Sequence, residues 1–371
     1  MITRRSLLLA PAAALAACGR RKGAGFNGYA FVANEEGRAV AAVDLIAFAV
    51  ARHIALDASP TAVIADPLRP AVYALTPETG CVHEIGTGTL AVRRKVQTSR
   101  TALGMRASAD GRSLWVLATQ PRQLVRISLD QFRIDARFAL PAEPVDFDLS
   151  ANGELGAVSF GESGAVGVVD LRRRTCSWIG FGKKLSLVRF RSDSRQLLVG
   201  NADDRAVSVL EAPSGRLVVN LPLAVRPDNF CFGAGQGQLF VTGDGMDSVA
   251  IVYPYLTEVA ETVLAGKAPG AMAEAAGEDA NYLLVANPQS NELTIIDIDT
   301  HRVVAVVAVG QEPGYVAVTP DRQYALVLNR TSGDMAIIRI AAIAAKRSKS
   351  APLFTMIPVG SKPVSAVVRG V

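Results

Sequence analysis

The strongest constraint on the fold is a unit that recurs along almost the whole chain. Its clearest copy spans residues 282–329, where runs rich in Val and Ile alternate with turns rich in Gly, Pro, Asn and Asp. Short runs of this composition between such turns are typical of β-strands. Four strands within a period of about 40 residues are typical of one blade of a β-propeller.

The copies can be counted from the strand that ends at Asn287. Its counterparts recur at intervals of 41 to 44 residues, and an apolar residue that begins the next strand follows each end after six residues. Their last residues are Asn34, Leu75, Ala118, Ser159, Asn201, Gly243, Asn287 and Asn329. This register predicts an all-β protein, an eight-bladed propeller of four-stranded antiparallel blades. Seven blades are the alternative if one copy is degenerate.

The two ends of the chain predict how the ring closes. The first copy, at Tyr29, has no strand in front of it, whereas an extra strand, residues 363–371, follows the last copy. We expect this C-terminal strand to complete the first blade, which removes the free sheet edges of an open array. Residues 29–371 are therefore predicted to form a single domain. The eighth copy is lengthened after Ile340 by a basic insertion, predicted to be a helical turn or a loop.

The N-terminus has the features of an export signal. Residues 1–17 combine a basic start, a short apolar stretch and small residues before Cys18. Arg4 and Arg5 resemble the twin-arginine motif, an alternative to an ordinary signal. The segment Leu15-Ala16-Ala17-Cys18 resembles a bacterial lipobox, in which the cysteine is lipidated. We expect lipidation at Cys18, a flexible spacer over residues 18–28, and a periplasmic or envelope location on a membrane.

Composition and charge argue against a nucleic-acid partner. The formal net charge is +5 and the basic residues are scattered, with only 6% aromatic residues in the chain. Platforms for single-stranded nucleic acid interleave basic and aromatic side chains. After the N-terminus no apolar run reaches the about 18 residues of a membrane span. We predict a monomer without a nucleic-acid partner.

The last two repeats also resemble a known family. The segments YLLVAN, ELTIIDIDTHRVVAVVAVGQEPGYVAVTPD and YALVLN are similar to the YVTN-repeat β-propellers, with their Y-V-A-N strand, V-x-V-I-D strand, V-G-x-x-P segment and S-P-D-G turn. The resemblance runs in phase over residues 29–371 and is weaker in the middle copies. It implies a secreted bacterial propeller used for binding or surface interaction.

Alternation along the innermost strand of each blade predicts which side chains face the central channel. One column, from Val63 through Met105 to Val316, is apolar and is expected to pack between blades. The opposite column carries charge in three consecutive blades. The candidate channel or ligand-binding residues are Arg106, Asp148 and Arg189 at one level, Asp146 and Asn229 nearer the mouth, and Tyr315. An Arg, Asp, Arg arc is either an ion-pair network between blades, the interpretation we favour, or a wet pocket for a polar ligand.

Metal and haem sites are not predicted. The three histidines, His53, His83 and His301, fall in three different blades, and the chain has no Cys-x-x-Cys-His segment for a c-type haem. Cys81, Cys176 and Cys231 are predicted to be small buried hydrophobic residues. We therefore expect no catalytic residue, no metal and no cofactor.

The leading hypothesis is a non-enzymatic, membrane-anchored propeller that binds an envelope protein, a glycan or a small polar ligand at the channel mouth. The alternative is a cofactor-binding or enzymatic propeller of the quinoprotein, haem-d or lactonase type. Repeated tryptophans of the quinoprotein kind are absent, since the chain has only Trp115 and Trp178.

Overall fold

The computed structural model describes residues 25–180, 182–276, 281–343 and 351–370. The described residues form 32 β-strands and one short 3-10 helix (Ile340–Ala342). The strands form eight four-stranded antiparallel sheets, and neighbouring innermost strands contact one another around a central channel. The prediction of an eight-bladed β-propeller is confirmed, and the seven-bladed alternative is excluded.

The first four blades each take their strands in order from the channel outwards, except that blade 1 receives its innermost strand from the C-terminus. Blade 1 consists of β1 (Gly28–Asn34), β2 (Ala39–Asp44), β3 (Ala49–Ala55) and β32 (Pro363–Gly370). Blade 2 consists of β4 (Ala62–Ala65), β5 (Ala71–Thr76), β6 (Cys81–Gly86) and β7 (Ala91–Gln97). Blade 3 consists of β8 (Thr101–Ala107), β9 (Ser113–Gln120), β10 (Arg122–Ser128) and β11 (Arg133–Ala139). Blade 4 consists of β12 (Asp146–Leu149), β13 (Leu155–Phe160), β14 (Ala165–Asp170) and β15 (Thr175–Gly180).

The other four blades are continuous in sequence. Blade 5 consists of β16 (Leu185–Phe190), β17 (Gln196–Asn201), β18 (Ala206–Glu211) and β19 (Leu217–Pro222). Blade 6 consists of β20 (Asn229–Phe232), β21 (Leu239–Thr242), β22 (Ser248–Tyr253) and β23 (Glu258–Leu264). Blade 7 consists of β24 (Met272–Ala276), β25 (Asn281–Asn287), β26 (Glu292–Asp297) and β27 (Arg302–Ala308). Blade 8 consists of β28 (Pro313–Val318), β29 (Tyr324–Asn329), β30 (Asp334–Arg339) and β31 (Leu353–Pro358).

The ring closes as the sequence predicts. Strand β32 pairs antiparallel with β1, with Val32 opposite Ala366 and Tyr29 opposite Arg369. Of the predicted C-terminal strand only Val371 lies outside the described residues. The insertion after Ile340 begins with the 3-10 turn, and residues 344–350 lie outside the described part. No helix in the described ranges is long and apolar enough to cross a membrane.

The hydrophobic core lies between the blades. Val- and Ile-rich strands suit these interfaces because β-branched side chains pack well on a pleated surface. Val63, Met105, Phe147 and Val188 are buried in four of these interfaces, and Val316 in a fifth, as the apolar column predicts. Burying one such side chain contributes about 1.5–3 kcal/mol.

Short turns reverse the chain between strands because polar side chains hold their backbone. Asp44 ends β2 and its carboxylate accepts hydrogen bonds from Ile46 N at 2.7 Å and Ala47 N at 3.0 Å. Asp297 does the same at the end of β26. A carboxylate that bonds backbone groups two or three residues on is a common turn device, and it stops the strand there.

The loops that join successive blades, which we call junctions, lie together on the face of the ring where the innermost strands begin. We call this the upper face. In four blades a junction glycine packs directly against the asparagine that ends the second strand, and a β-carbon at Gly266 would lie 2.6 Å from Asn287 Cγ. The four pairs are Gly182 with Asn201, Gly266 with Asn287, Gly310 with Asn329, and Gly360 with Asn34. This contact explains why glycine and asparagine recur together in the repeat.

Candidate functional site

The charged arc is an ion-pair network across three consecutive blades. Asp146 at the start of β12 forms an ion pair with Arg189 of β16, and its other oxygen lies 3.6 Å from Arg106 Nη2 of β8. The oxygen that pairs with Arg189 also accepts a hydrogen bond from Val188 N at 3.1 Å. Asp146 therefore connects blades 3, 4 and 5 through one carboxylate.

Asp148 makes a second set of contacts one step below. Arg106 Nε lies 3.6 Å from Asp148 Oδ1 and donates to the carbonyl of Phe147 at 2.6 Å. Asp148 Oδ2 accepts from Phe190 N at 2.8 Å. Both aspartates thus satisfy backbone N–H groups of the next blade, which neighbouring innermost strands do not satisfy by sheet pairing. The arc stabilises blade-to-blade packing.

The electrostatics of the arc fit this structural role. Burial lowers the pKa of the Arg106 guanidinium, and the positive charge of Arg189 lowers it further, while Asp148 and Asp146 oppose both effects. Arginine nevertheless keeps its charge in proteins. Two arginines and two aspartates leave the arc without net charge. An incoming anion would have to displace Asp146 or Asp148 to bind here.

The ion pairs join the blades in which the alternation pattern predicts charge, but one residue lies at a different level. Asp146 was expected nearer the mouth than Arg106 and Arg189, yet it is the carboxylate that bridges the two arginines. The register of β16 shifts between Leu185 and Val188, and the long arginine side chains reach back toward the mouth. Alternation along a strand predicts on which face of the sheet a side chain lies. It does not predict the position of the charged group at the end of a long side chain.

Two other candidate residues lie outside the arc. Asn229, on β20, lines a separate cavity of about 410 Å³ on the upper face together with Asp228, Asp244 and Asp247. Tyr315, on β28 across the ring, lies beside Ser365 and Ala366 of blade 1, and burial raises the pKa of its hydroxyl. These two residues share the channel-facing column but do not share one site with Arg106, Asp148 and Arg189.

Two apolar side chains near the start of the innermost strands of blades 3 and 4 are exposed. Leu103 is 46% exposed and Val145 is 45% exposed, in blades 3 and 4 respectively. Leu103 reaches the surface because the register of β8 shifts between Ala102 and Gly104. Exposed apolar side chains and the neutralised arc therefore both occur in blades 3 and 4.

Sequence reasoning missed the upper-face cavity between blades 8 and 1. This cavity, of about 570 Å³, is lined by Glu36, Glu312, Arg330, Ser361 and Lys362, with other residues of the same turns. A third cavity, of about 610 Å³, opens on the same face around Arg100 and Arg122. A comparison of turn residues across the repeats would have drawn attention to the first cavity, because Gly37 stands where blades 7 and 8 carry a serine.

Several predictions concern cysteines and metals. Cys81, Cys176 and Cys231 are free thiols. Cys81 is buried as expected, but Cys176 is exposed, because it lies on the outermost strand β15. Within the described ranges no three His, Cys, Asp or Glu side chains come together as metal ligands. The lipidation site at Cys18 lies outside the described residues.

The comparisons with known proteins agree with the fold. No protein-family model and no curated protein matches the sequence. Among solved structures, the chain is similar to the dihydro-haem d1 dehydrogenase NirN in complex with DHE, with a TM-score of 0.72 and 15% identity over 92% of this chain and 75% of that chain. It is also similar to hydrazine synthase from Kuenenia stuttgartiensis, with a TM-score of 0.57 and 15% identity over 74% of this chain and 99% of that chain. At these identities the likeness establishes a β-propeller fold.

Proposed function

We propose that this chain is a non-enzymatic binding propeller of the YVTN-repeat type, which is held at a bacterial envelope membrane by lipid on Cys18. It takes up a small polar ligand at its upper face. One observation carries the proposal: three cavities, of about 570, 410 and 610 Å³, all open on that face. Ligand sites in proteins are concave and have volumes of about 300–1,000 Å³.

The position of the N-terminal residues supports an outward-facing binding surface. Phe26 N donates to Leu45 O at 3.1 Å, in the turn between β2 and β3, on the face opposite the junctions. A spacer leading from Cys18 to Phe26 would hold that opposite face toward the membrane. The upper face would then look away from the membrane, where soluble ligands can reach it.

The arc supports the proposal by stiffening the ring. Its carboxylates accept backbone N–H groups of the next blade, so its charges contribute to packing. A binding site on a rigid scaffold loses less conformational entropy when the ligand binds. The arc therefore holds the upper-face loops of blades 3 to 5 in place.

The proposal is tested on full-length protein extracted from membranes in mild detergent. Native mass spectrometry of the purified protein should detect a co-purified small molecule. A tryptophan in one of the three cavities, at Ser361, Gln289 or Arg100, should remove it, whereas Arg173→Trp on the opposite face should not. Retention of the molecule by all three upper-face variants would contradict binding at this face. Cys18→Ser should move the protein from the detergent phase to the aqueous phase, and detergent-phase recovery of this variant would contradict the anchor.

A second candidate function is a cofactor-binding propeller, and the likeness to NirN favours it. Exposed Leu103 and Val145 could contact an apolar macrocycle, and Arg106 and Arg189 could meet its carboxylates if they left Asp146. Titration of the purified protein with haem, followed by visible absorption, tests this candidate. A saturable spectral change that Leu103→Trp abolishes would favour it over the polar-ligand proposal.

A further inference from the structure

Three junctions of the ring share one backbone design. Residues 266–269, 310–313 and 360–363 each read Gly-x-x-Pro. In each, the residue before the proline has a positive φ: 53° at Ala268, 56° at Glu312 and 53° at Lys362. Few residues other than glycine adopt this region. Because the three junctions share this backbone conformation, their hydrogen bonds can be compared position by position.

In the first two junctions, side chains of neighbouring blades accept the two central backbone N–H groups. Between blades 7 and 8, Gln311 N donates to Ser332 Oγ and Glu312 N donates to Asn291 Oδ1, both at 2.9 Å. Between blades 6 and 7, Lys267 N donates to Ser290 Oγ at 3.2 Å, and Ala268 N donates to a carboxylate oxygen of Asp247 at 2.9 Å. The central backbone N–H groups of these two junctions therefore all have acceptors on side chains of this protein.

The third junction, between blades 8 and 1, lacks both acceptor side chains. Gly37 stands where Ser290 and Ser332 stand in the other blades, and Gly333 stands where Asn291 stands. Among the described residues, neither Ser361 N nor Lys362 N has an acceptor. Two successive N–H groups beside a residue of positive φ form a concave arrangement that binds anions. Both residues line the 570 Å³ cavity.

A guanidinium without a partner among the described residues lies in the same cavity. Arg330 lines the cavity, and its Nε is buried with no hydrogen-bond partner among the described residues. Its side chain lies over Gly314 of β28, where a β-carbon would lie 2.8 Å from Arg330 Cζ. A buried donor without an acceptor is unfavourable, and a carboxylate that takes two guanidinium N–H groups would relieve this.

Acidic groups in the cavity restrict which anions fit. Glu36 and Glu312 line it, and Glu312 accepts a hydrogen bond from Thr331 Oγ1 at 2.6 Å. Lys362 Nζ pairs with Glu35 at 3.1 Å. Multiply charged anions would be repelled by these carboxylates, whereas a ligand that carries both a carboxylate and an ammonium group would meet a partner for each.

We infer that the junction between blades 8 and 1 binds a small zwitterion of the α-amino-acid class. The ligand carboxylate bonds Ser361 N, Lys362 N and Arg330, in the position that the Asp247 carboxylate holds between blades 6 and 7. The ligand ammonium group faces Glu36 and Glu312. The inference rests on the proposed binding function of the upper face and specifies its ligand class.

Calorimetric titration of the full chain with L-alanine, acetate and methylammonium at constant ionic strength tests the ligand class. L-Alanine should bind more tightly than acetate, and methylammonium should not bind. Saturable binding of methylammonium with an affinity equal to that of L-alanine, or no binding of L-alanine and acetate at all, would overturn the inference.

Two substitutions test the location. A β-carbon at Gly37 would lie 3.8 Å from Ser361 N, so the hydroxyl in Gly37→Ser can accept that N–H as Ser332 accepts Gln311 N. Gly37→Ser and Arg330→Ala should each weaken L-alanine binding about tenfold or more, since each removes one charge-assisted contact. Gly37→Ala adds volume without an acceptor and should change the affinity less than about twofold. Arg173→Ala, in the turn between β14 and β15 on the opposite face, is the arginine control and should leave L-alanine binding unchanged.

The outcomes separate this inference from the proposed function. If Gly37→Ser and Arg330→Ala fold and bind L-alanine like the parent, the junction site is wrong. If, in addition, Gln289→Trp or Arg100→Trp removes the co-purified ligand, the binding function of the upper face still holds. Thermal unfolding of each variant confirms that lost binding is not lost folding.

Discussion

The arc of blades 3 to 5 and the junction between blades 8 and 1 are both polar, but they use their polar groups differently. In the arc, Asp146 and Asp148 each accept a backbone N–H and each face an arginine. In the junction, Ser361 N, Lys362 N and Arg330 Nε have no acceptor among the described residues. A set of charged residues that satisfy one another stabilises a fold, whereas donors without acceptors that belong to one cavity suit a ligand.

Because the chain is a repeat, junctions with and without acceptor side chains can be compared within one molecule. Because the blades share one backbone, each junction shows what another would look like with its acceptors present. The Asp247 carboxylate between blades 6 and 7 shows that a carboxylate fits this backbone geometry.

The largest expected effect is on the arc. Asp146→Ala leaves Arg106 and Arg189 without their shared carboxylate and Val188 N without its acceptor, so it should lower the free energy of unfolding by about 3 kcal/mol. Chemical denaturation measures this loss. L-Alanine binding should not change in buffer without denaturant, where the variant is folded. A variant of parental stability with altered ligand binding would instead make the arc a ligand site.

A smaller effect is expected where junction glycines contact asparagines. Gly266→Ala would put a β-carbon 2.6 Å from Asn287 Cγ, and overpacking of this kind lowers the free energy of unfolding by about 1–3 kcal/mol. Gly180 is the control, because a β-carbon added there would have no heavy atom of the described residues within 4 Å, and Gly180→Ala should be neutral within about 0.5 kcal/mol. Equal unfolding free energies for both variants would show that the glycine contact does not constrain the junction.

The smallest expected effect is a pH dependence of stability at the junction between blades 1 and 2, where titratable side chains bond one another. Buried His83 on β6 bonds Asp57 Oδ1 at 2.9 Å, and Lys95 Nζ bonds Asp57 Oδ2 at 2.7 Å. Burial lowers the pKa of His83 below its ordinary 6.5, and Asp57 only partly opposes this. As the pH falls, His83 is therefore protonated in the unfolded chain before it is protonated in the folded chain. Neutral His83 therefore contributes its full share to the free energy of unfolding above pH 6.5. This contribution decreases as the pH drops below 6.5.

Unfolding free energies between about pH 5.5 and 7.5 measure this dependence. His83→Gln keeps a partner for Asp57 without titrating in this range, so the slope of stability against pH should become smaller than in the parent. Exposed His53 provides the control His53→Gln, which should keep the parental slope. An unchanged slope in His83→Gln would mean that other groups control the pH response.

Much of the fold could be predicted because its determinants are local and repeated. The interval of 41 to 44 residues, the apolar column and the unmatched strand 363–371 required only the printed order of residues. The arc was also predictable, since alternation places Arg106, Asp148 and Arg189 on the channel side. The remainder depended on contacts between different loops. Asn229 and Tyr315 share the column of Asp146, but Asn229 lines the cavity between blades 6 and 7 and Tyr315 lies beside Ser365 of blade 1.

The junction site shows the limit of sequence reasoning most clearly. The glycines at 37 and 333 are visible in the repeat, but their meaning comes from Ser332 and Asn291, whose acceptor role depends on two neighbouring blades. Arg330 is one of many scattered basic residues until its position over Gly314 is known.

The most direct test of the account is the backbone amide signal of the three junctions by NMR on deuterated protein titrated with L-alanine. The account predicts saturable shifts of the Ser361 and Lys362 amides with one binding constant, while Lys267, Ala268, Gln311 and Glu312 remain unchanged because their N–H groups already have acceptors. Unmoved Ser361 and Lys362 signals, or equal shifts in all three junctions, would contradict it.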